Sequence, residues 1–116
     1  YNIFSRQPET SGVLSLSAAS GSGFVAFSPL AQGLLTGRYL DGIPQDSRMA
    51  AGRSLQREVL TDAMLERLRA LNDIARQRGQ TLAEMALAWL CLLYTSDGRQ
   101  KEIPTRMPKL LMLSIE

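Results

Sequence analysis

Side chains of the kinds that commonly carry out catalysis are few in this sequence. Its 116 residues include no histidine and a single cysteine, Cys91. The lack of histidine excludes Ser-His-Asp and Cys-His nucleophilic machinery and any imidazole ligand for zinc or haem. One cysteine excludes an internal disulfide, a CxxC redox pair and a thiolate metal cluster. Mechanisms based on histidine or on paired thiolates are therefore excluded, and we predict no metal site.

A glycine-rich segment follows the clearest short apolar run of the sequence. Phe24 to Phe27 is unbroken by polar residues and is bounded by Gly23 and Ser28, which predicts a buried strand of the parallel type. From Ser28 to Leu60 glycines and prolines recur, which predicts a structureless loop of about thirty residues. Proteins of the α/β class place ligand sites in loops at the C-terminal ends of strands. The start of this loop is therefore the predicted ligand site.

The elements before this loop complete a strand–helix–strand unit. Tyr1 to Phe4 is aromatic and β-branched, as at the end of a strand. Thr10 or Ser11 is then expected to cap a short helix that ends before Gly21. A strand, a helix and the apolar run at 24–27 form a βαβ unit, which predicts the α/β class.

Two helices are predicted between residues 61 and 90. Thr61 or Asp62 caps the first, and Gly79 ends it. Thr81 and Glu84 have the spacing of a capping box that begins the second, so the two form a helical hairpin. Apolar side chains recur at helical spacing in both helices, which indicates core packing rather than a binding groove. These side chains are Met64, Leu65, Leu68, Leu71, Ile74, Ala75, Leu82, Met85, Ala86, Trp89 and Leu90.

The segment from Phe24 to Tyr39, FVAFSPLAQGLLTGRY, resembles the F/W-S-P-L-A-x-G-x-L-S/T-G-K/R-Y signature of the aldo-keto reductases. The resemblance continues in GIPQDSR at 42–48, RQRG at 76–79 and AEMALAWL at 83–90. It covers residues 1–90 and is closest to the branch that holds L-glyceraldehyde-3-phosphate reductases and potassium-channel beta subunits. It implies an α/β fragment of a (β/α)8 TIM barrel, with strands six and seven and the helices that follow. It also implies carbonyl reduction by hydride transfer from NADP(H).

The resemblance also implies which residues bind the cofactor. They are Phe27, Ser28, Pro29, Leu30, Gly33, Arg38 and Arg48. Phe27 would stack on the nicotinamide ring, because a flat apolar face excludes water from the path of the hydride. The small residues near Gly33 would let the backbone approach the pyrophosphate, and guanidinium groups bind phosphate bidentately. Without the resemblance, the same residues fit a core phenylalanine, a Ser-Pro turn and two solvated arginines.

Two parts of the family pattern are missing from the sequence. The family's catalytic tetrad is Asp, Tyr, Lys and His, and a chain without histidine lacks at least one member. We therefore expect this chain to be catalytically inactive. After Leu90, neither the eighth strand nor the segment that binds the 2′-phosphate of NADP(H) is recognisable. Cys91 to Ser96 resembles the translated terminal repeat that transposase-based sequencing libraries attach to DNA fragments, so residues 91–116 are interpreted as a divergent, non-native tail. The alternative is a genuine divergent C-terminus.

Charge, hydropathy and the N-terminal sequence indicate which partners and which location to expect. The net charge of +2 is too small to indicate nucleic-acid binding. The longest apolar stretch, Met85 to Tyr94, is shorter than the ~18 residues of a membrane span. The N-terminus lacks both a signal peptide and an initiator methionine, so we expect a cytoplasmic chain whose natural start lies upstream.

Two functions of different classes follow. The first is part of an NADP(H)-dependent aldo-keto reductase whose parent reduces glyceraldehyde-3-phosphate or another small aldehyde. The alternative is a non-catalytic, helix-rich interaction module that uses the hairpin at 61–90. The second would have to present Met85, Trp89 and Leu93 to a partner as an apolar face.

Overall fold

The structure is a computed structural model that describes residues 1–52 and 54–95, the last three of them by their backbone alone. Four α-helices and two 3₁₀ segments form in this part of the chain. The helices are α1 (Gln7–Thr10), α2 (Val13–Ala19), α3 (Asp62–Gln77) and α4 (Leu82–Thr95), and the 3₁₀ segments are Ala31–Thr36 and Arg57–Val59. Residues 91–95 belong to α4, and the rest of the predicted tail, 96–116, lies outside the described residues.

The strands predicted at residues 1–4 and 24–27 do not form within residues 1–52 and 54–95. An isolated bridge joins Asn2 and Ser5. The amino group of Tyr1 donates to the Phe27 carbonyl at 2.8 Å, and Asn2 Nδ2 donates to the Ser28 carbonyl at 3.0 Å. The two segments therefore lie side by side, as neighbouring strands would, but without the repeated backbone hydrogen bonds of a sheet.

The prediction that Phe24–Phe27 is buried is wrong for this structure. Val25 is 91% exposed and Phe27 is 87% exposed. A strand of the parallel type is stabilised by hydrogen-bonding neighbours on both sides and by helices over both faces. No strand forms beside this segment in the described part of the chain. Phe24 and Ala26 are half-buried, with the Phe24 ring edge-on to Tyr1 at 5.9 Å between centroids, while Val25 and Phe27 stay exposed.

The helical hairpin is confirmed, together with the capping residues predicted for it. The Met64 N–H donates to Thr61 Oγ1 at 3.2 Å, which begins α3, and Gly79 follows its end with φ +67°. The Glu84 N–H donates to Thr81 Oγ1 at 3.2 Å, and the Thr81 N–H donates to Glu84 Oε2 at 2.7 Å. These reciprocal bonds are a capping box at the start of α4.

The capping box makes the stability of α4 depend on pH. Hydrogen bonds from the Thr81 backbone N–H, and next from its hydroxyl, hold the pKa of Glu84 below its usual value. A carboxyl whose pKa is lower when folded stabilises the protein above the unfolded pKa, and this contribution is lost as pH falls through the folded pKa.

We expect E84Q to have a lower melting temperature than the wild type at neutral pH, with the difference shrinking on acidification. The amide side chain keeps the geometry but carries no charge to titrate. Thermal melts from pH 7 down to about pH 3, below the ordinary glutamate pKa of about 4.3, measure the difference. E66Q, the same change on the exposed face of α3, is the control. Parallel melting curves for E84Q and the wild type at every pH would contradict the assignment.

The core lies between the helical hairpin and the loop that was predicted to be structureless. The loop prediction is wrong, because this segment contains both 3₁₀ segments and half of the core. Its buried side chains are Leu34, Leu35, Tyr39, Met49 and Leu55, and they pack with Leu68, Ala75, Leu82, Met85 and Ala86 of α3 and α4. The 3₁₀ segment Ala31–Thr36 contacts α4 directly. The loop is therefore held in place by its packing against α3 and α4.

A polar and aromatic cluster ties the N-terminus to α1 and α4. The Tyr1 hydroxyl donates to Glu9 Oε1 at 2.7 Å, and the Tyr1 ring centroid is 5.5 Å from that of Trp89. Arg6 donates to both oxygens of Glu9, and its guanidinium lies 5.6 Å from the Trp89 ring centroid. Burial, and next the bond to Glu9, raises the pKa of the Tyr1 hydroxyl, while Arg6 holds the pKa of Glu9 down. The cluster fixes Tyr1, whose amino group in turn holds Phe27.

None of the helices described is long and apolar enough to cross a membrane.

Candidate cofactor-binding site

The loop begins with an unusual run of backbone conformations. Ser28, Ala31 and Gln32 have φ of 54°, 49° and 58°, and Gly33 follows at 107°. Residues other than glycine rarely adopt left-handed φ, and such strain is concentrated at functional sites. Two hydrogen bonds stabilise the turn, from the Ala31 N–H to the Ser28 carbonyl at 3.0 Å and from the Gln32 N–H to Ser28 Oγ at 3.1 Å. The backbone is thus folded tightly around Ser28.

A cavity of about 340 Å³ opens beside this turn. It is lined by Ser28, Pro29, Leu30, Gln32, Gly33, Thr36, Arg38, Tyr39 and Arg48. Six of the seven residues predicted to bind the cofactor are therefore brought together around one space. Phe27 does not line it, but it directly precedes Ser28 and its ring is exposed.

The two arginines of the cavity differ in their partners. Arg38 Nη2 lies 2.7 Å from Asp46 Oδ2, in an ion pair whose side chains are 49% and 79% exposed. Within residues 1–52 and 54–95 the other ion pair joins Arg6 to Glu9, so Arg48 pairs with no carboxylate there. With two guanidinium groups and one carboxylate, the rim of the cavity carries a net positive charge and favours anions.

Three lining residues were missed in the sequence, namely Gln32, Thr36 and Tyr39. The Thr36 hydroxyl donates to the Gly33 carbonyl at 2.6 Å and accepts from the Arg38 N–H at 3.4 Å. Tyr39 is buried, and a Cβ at Gly33 would lie 3.8 Å from its Cε2 atom. All three lie within the motif at residues 24–39, and this position is what could have identified them as residues of the site.

The chemistry of this lining fits a phosphorylated ligand. Guanidinium groups and hydroxyls are phosphate donors, and the left-handed turn lets the backbone approach closely. Among the described residues, no three side chains of the His, Cys, Asp and Glu types are grouped so that they could hold a metal ion. The donor set is therefore suited to a phosphate group.

Comparison of the sequence with family models identifies the class of protein. The model of the Aldo/keto reductase family matches residues 1–102, and the chain belongs to this family, whose fold is a TIM barrel and whose members are oxidoreductases. The resemblance drawn from the motif is thereby confirmed.

Curated relatives define the branch of the family. The chain is 53% identical over 94 residues to L-glyceraldehyde 3-phosphate reductase of Escherichia coli K12, covering 78% of this chain and 27% of that protein. It is 42% identical over 92 residues to a probable voltage-gated potassium channel subunit beta of Oryza sativa subsp. japonica, covering 77% of this chain and 28% of that protein. A protein of the same description from Arabidopsis thaliana is 41% identical over 92 residues, covering 77% of this chain and 28% of that protein. The chain therefore spans little more than a quarter of the length of these relatives.

Proposed function

We propose that residues 1–90 form a cofactor-binding part of an NADP(H)-dependent aldo-keto reductase, whose parent reduces glyceraldehyde-3-phosphate or another small aldehyde. The observation that carries the proposal is the cavity shared by Ser28, Pro29, Leu30, Gly33, Arg38 and Arg48. The similarity to an L-glyceraldehyde 3-phosphate reductase supports the substrate class.

Each part of the site has a distinct task in this proposal. The tight turn at Ser28 and the lack of a side chain at Gly33 let the backbone approach the pyrophosphate closely. Arg38 and Arg48 neutralise phosphate charge. The Phe27 backbone carbonyl accepts a hydrogen bond from the Tyr1 amino group, and the exposed Phe27 ring stacks on the nicotinamide. The cofactor supplies the hydride when it is bound, and the chain contributes binding and orientation.

The proposal assigns no catalytic residue to this chain. The sequence contains no histidine, so a tetrad of Asp, Tyr, Lys and His cannot be assembled from it. We propose that the chain binds the cofactor weakly and does not reduce aldehydes by itself. The cytoplasmic location and the absence of a nucleic-acid partner stay predictions from composition.

The alternative of a helical interaction module is not favoured. It needed Met85, Trp89 and Leu93 to be exposed as an apolar face, but Met85 is buried in the core and Trp89 is half-buried against Tyr1. Leu93 is described by its backbone alone. The apolar residues of the hairpin that stay exposed, Ile74, Leu87 and Leu92, are not the residues that this alternative named.

Titration of the full chain with NADPH tests the proposal through the fluorescence of the nicotinamide. We expect saturable binding with a change in nicotinamide emission, and we expect F27A to lose that change because the stacking face is removed. V25A is the matched control, since Val25 is equally exposed on the same segment but plays no part in the site. No saturable binding at millimolar NADPH, or equal effects of F27A and V25A, would refute the proposed function.

A further inference from the structure

We infer that Asp46 is an internal competitor for the phosphate site: its carboxylate holds Nη2 of Arg38, and a phosphate group that takes this donor must displace it. The inference rests on the proposed function, because it regulates the same cavity. It assigns to Asp46 a role in setting the affinity and the charge selectivity of the site.

The position of the ion pair is the first observation. Arg38 lines the cavity, and the 2.7 Å contact from its Nη2 to Asp46 Oδ2 uses a donor that faces an exposed rim. Both side chains are partly open to solvent. A ligand entering the cavity therefore reaches Arg38 while the carboxylate is still bound to it.

The second observation is that Asp46 is presented by a fixed turn. The Ser47 N–H donates to the Pro44 carbonyl at 3.0 Å, which closes a four-residue turn with Asp46 inside it. Ser47 is buried, and its Oγ accepts from the Ala50 N–H at 3.1 Å. The same turn leads into Arg48, the other arginine of the cavity. The carboxylate is thus held at the rim by the backbone that also supplies the second cation.

The charges then decide which anions displace the carboxylate. Asp46 carries one negative charge and contacts a single guanidinium nitrogen. The pyrophosphate of a dinucleotide carries two negative charges over its two phosphates and has oxygens placed for bidentate contact with a guanidinium. It can therefore replace the carboxylate, whereas a monoanion gains little by doing so. Asp46 therefore lowers the affinity of the site for all anions, but it lowers the affinity for phosphates less than that for monoanions.

Two charge-removing variants isolate the effect. D46N frees Arg38, and D41N removes the same charge from an exposed aspartate of the same loop that forms no ion pair within the described residues. Exposed ion pairs contribute up to about 1 kcal/mol, so we expect D46N to tighten binding roughly three- to fivefold. The D41N variant should bind much as the wild type does. In an R38A background, D46N should have no more effect than D41N.

Binding is measured by calorimetry on the full chain with two probes, NADPH and inorganic pyrophosphate. Tighter binding in D46N alone supports the inference. Weaker binding in D46N would show that Asp46 orients Arg38 for the ligand. Equal tightening in D46N and D41N would show an effect of remote charge. Either result overturns the inference. If NADPH binds and D46N changes nothing, the inference fails while the proposed function stands. If D46N tightens pyrophosphate but no variant binds NADPH, the proposed function fails and the competition stands. Absence of binding by both probes rejects both.

Discussion

Replacing Arg48 by alanine is expected to weaken NADPH binding by roughly 10- to 100-fold, because a hydrogen bond to a charged group contributes about 1.5–3 kcal/mol. Arg48 lines the cavity and has no carboxylate partner among the residues described, so its whole charge is available to a phosphate. Arg38 already shares its charge with Asp46. We therefore expect R38A to cost less affinity than R48A, as measured by titration of each variant with NADPH.

The control for the arginine series is R67A, which removes an equal charge from the exposed face of α3. It should leave the dissociation constant within about twofold of the wild-type value, since Arg67 does not line the cavity and exposed charges are screened by salt. Equal losses in R48A and R67A would mean that net charge, and not the cavity, attracts the cofactor. A larger loss in R38A than in R48A would contradict the role assigned to Asp46.

Replacing Leu35 by alanine is expected to lower the free energy of unfolding by about 2–5 kcal/mol, the usual cost of emptying a fully buried leucine site. Leu35 is 0% exposed and belongs to the 3₁₀ segment that contacts α4. Its side chain therefore joins the loop to the helical hairpin. Chemical denaturation followed by circular dichroism measures the loss, and NADPH binding should fall with it because the turn at Gly33 loses its support.

Two further variants keep this expectation testable even if L35A fails to fold. L35M conserves volume and should cost less than about 1.5 kcal/mol. L87A truncates a leucine that is 42% exposed on α4, and it should change stability far less than L35A. Failure of L35A to fold while L35M and L87A both fold would agree with this role. If L35A destabilises the chain no more than L87A does, then Leu35 is not the link between loop and hairpin.

The hairpin and the site residues could be predicted for different reasons. Thr61, Thr81 and Glu84 are recognisable because a cap acts over three residues, so its pattern is written locally in the sequence. The cavity lining followed from the resemblance, since a fixed motif keeps Ser28 and Gly33 at a fixed spacing. The family comparison confirms the resemblance, while the role of each residue toward a cofactor stays a proposal.

The predictions of burial and of loop structure were wrong where the outcome depends on residues that are distant in the sequence. The run at 24–27 has the composition of a buried strand, but burial depends on neighbouring strands and helices that no local pattern contains. Leu35 and Met49 are fully buried without any periodicity around them, because an irregular backbone buries residues at irregular intervals. The pairing of Arg38 with Asp46 depends likewise on how the turn at Pro44 folds back, which the spacing of the two residues does not show.

The exposure of Phe27 has a consequence for the order of events in binding. The phosphate end of the proposed site rests on the packed core through Leu34, Leu35 and Tyr39, so it is preformed and loses little entropy when a ligand arrives. At the proposed nicotinamide end, Phe27 is held only by a backbone contact to Tyr1, so its exposed ring loses conformational entropy when a ligand orders it. A dinucleotide would accordingly anchor by its phosphates first and immobilise the aromatic ring afterwards. Affinity would then reside at one end of the ligand, and the cost of ordering would fall at the other.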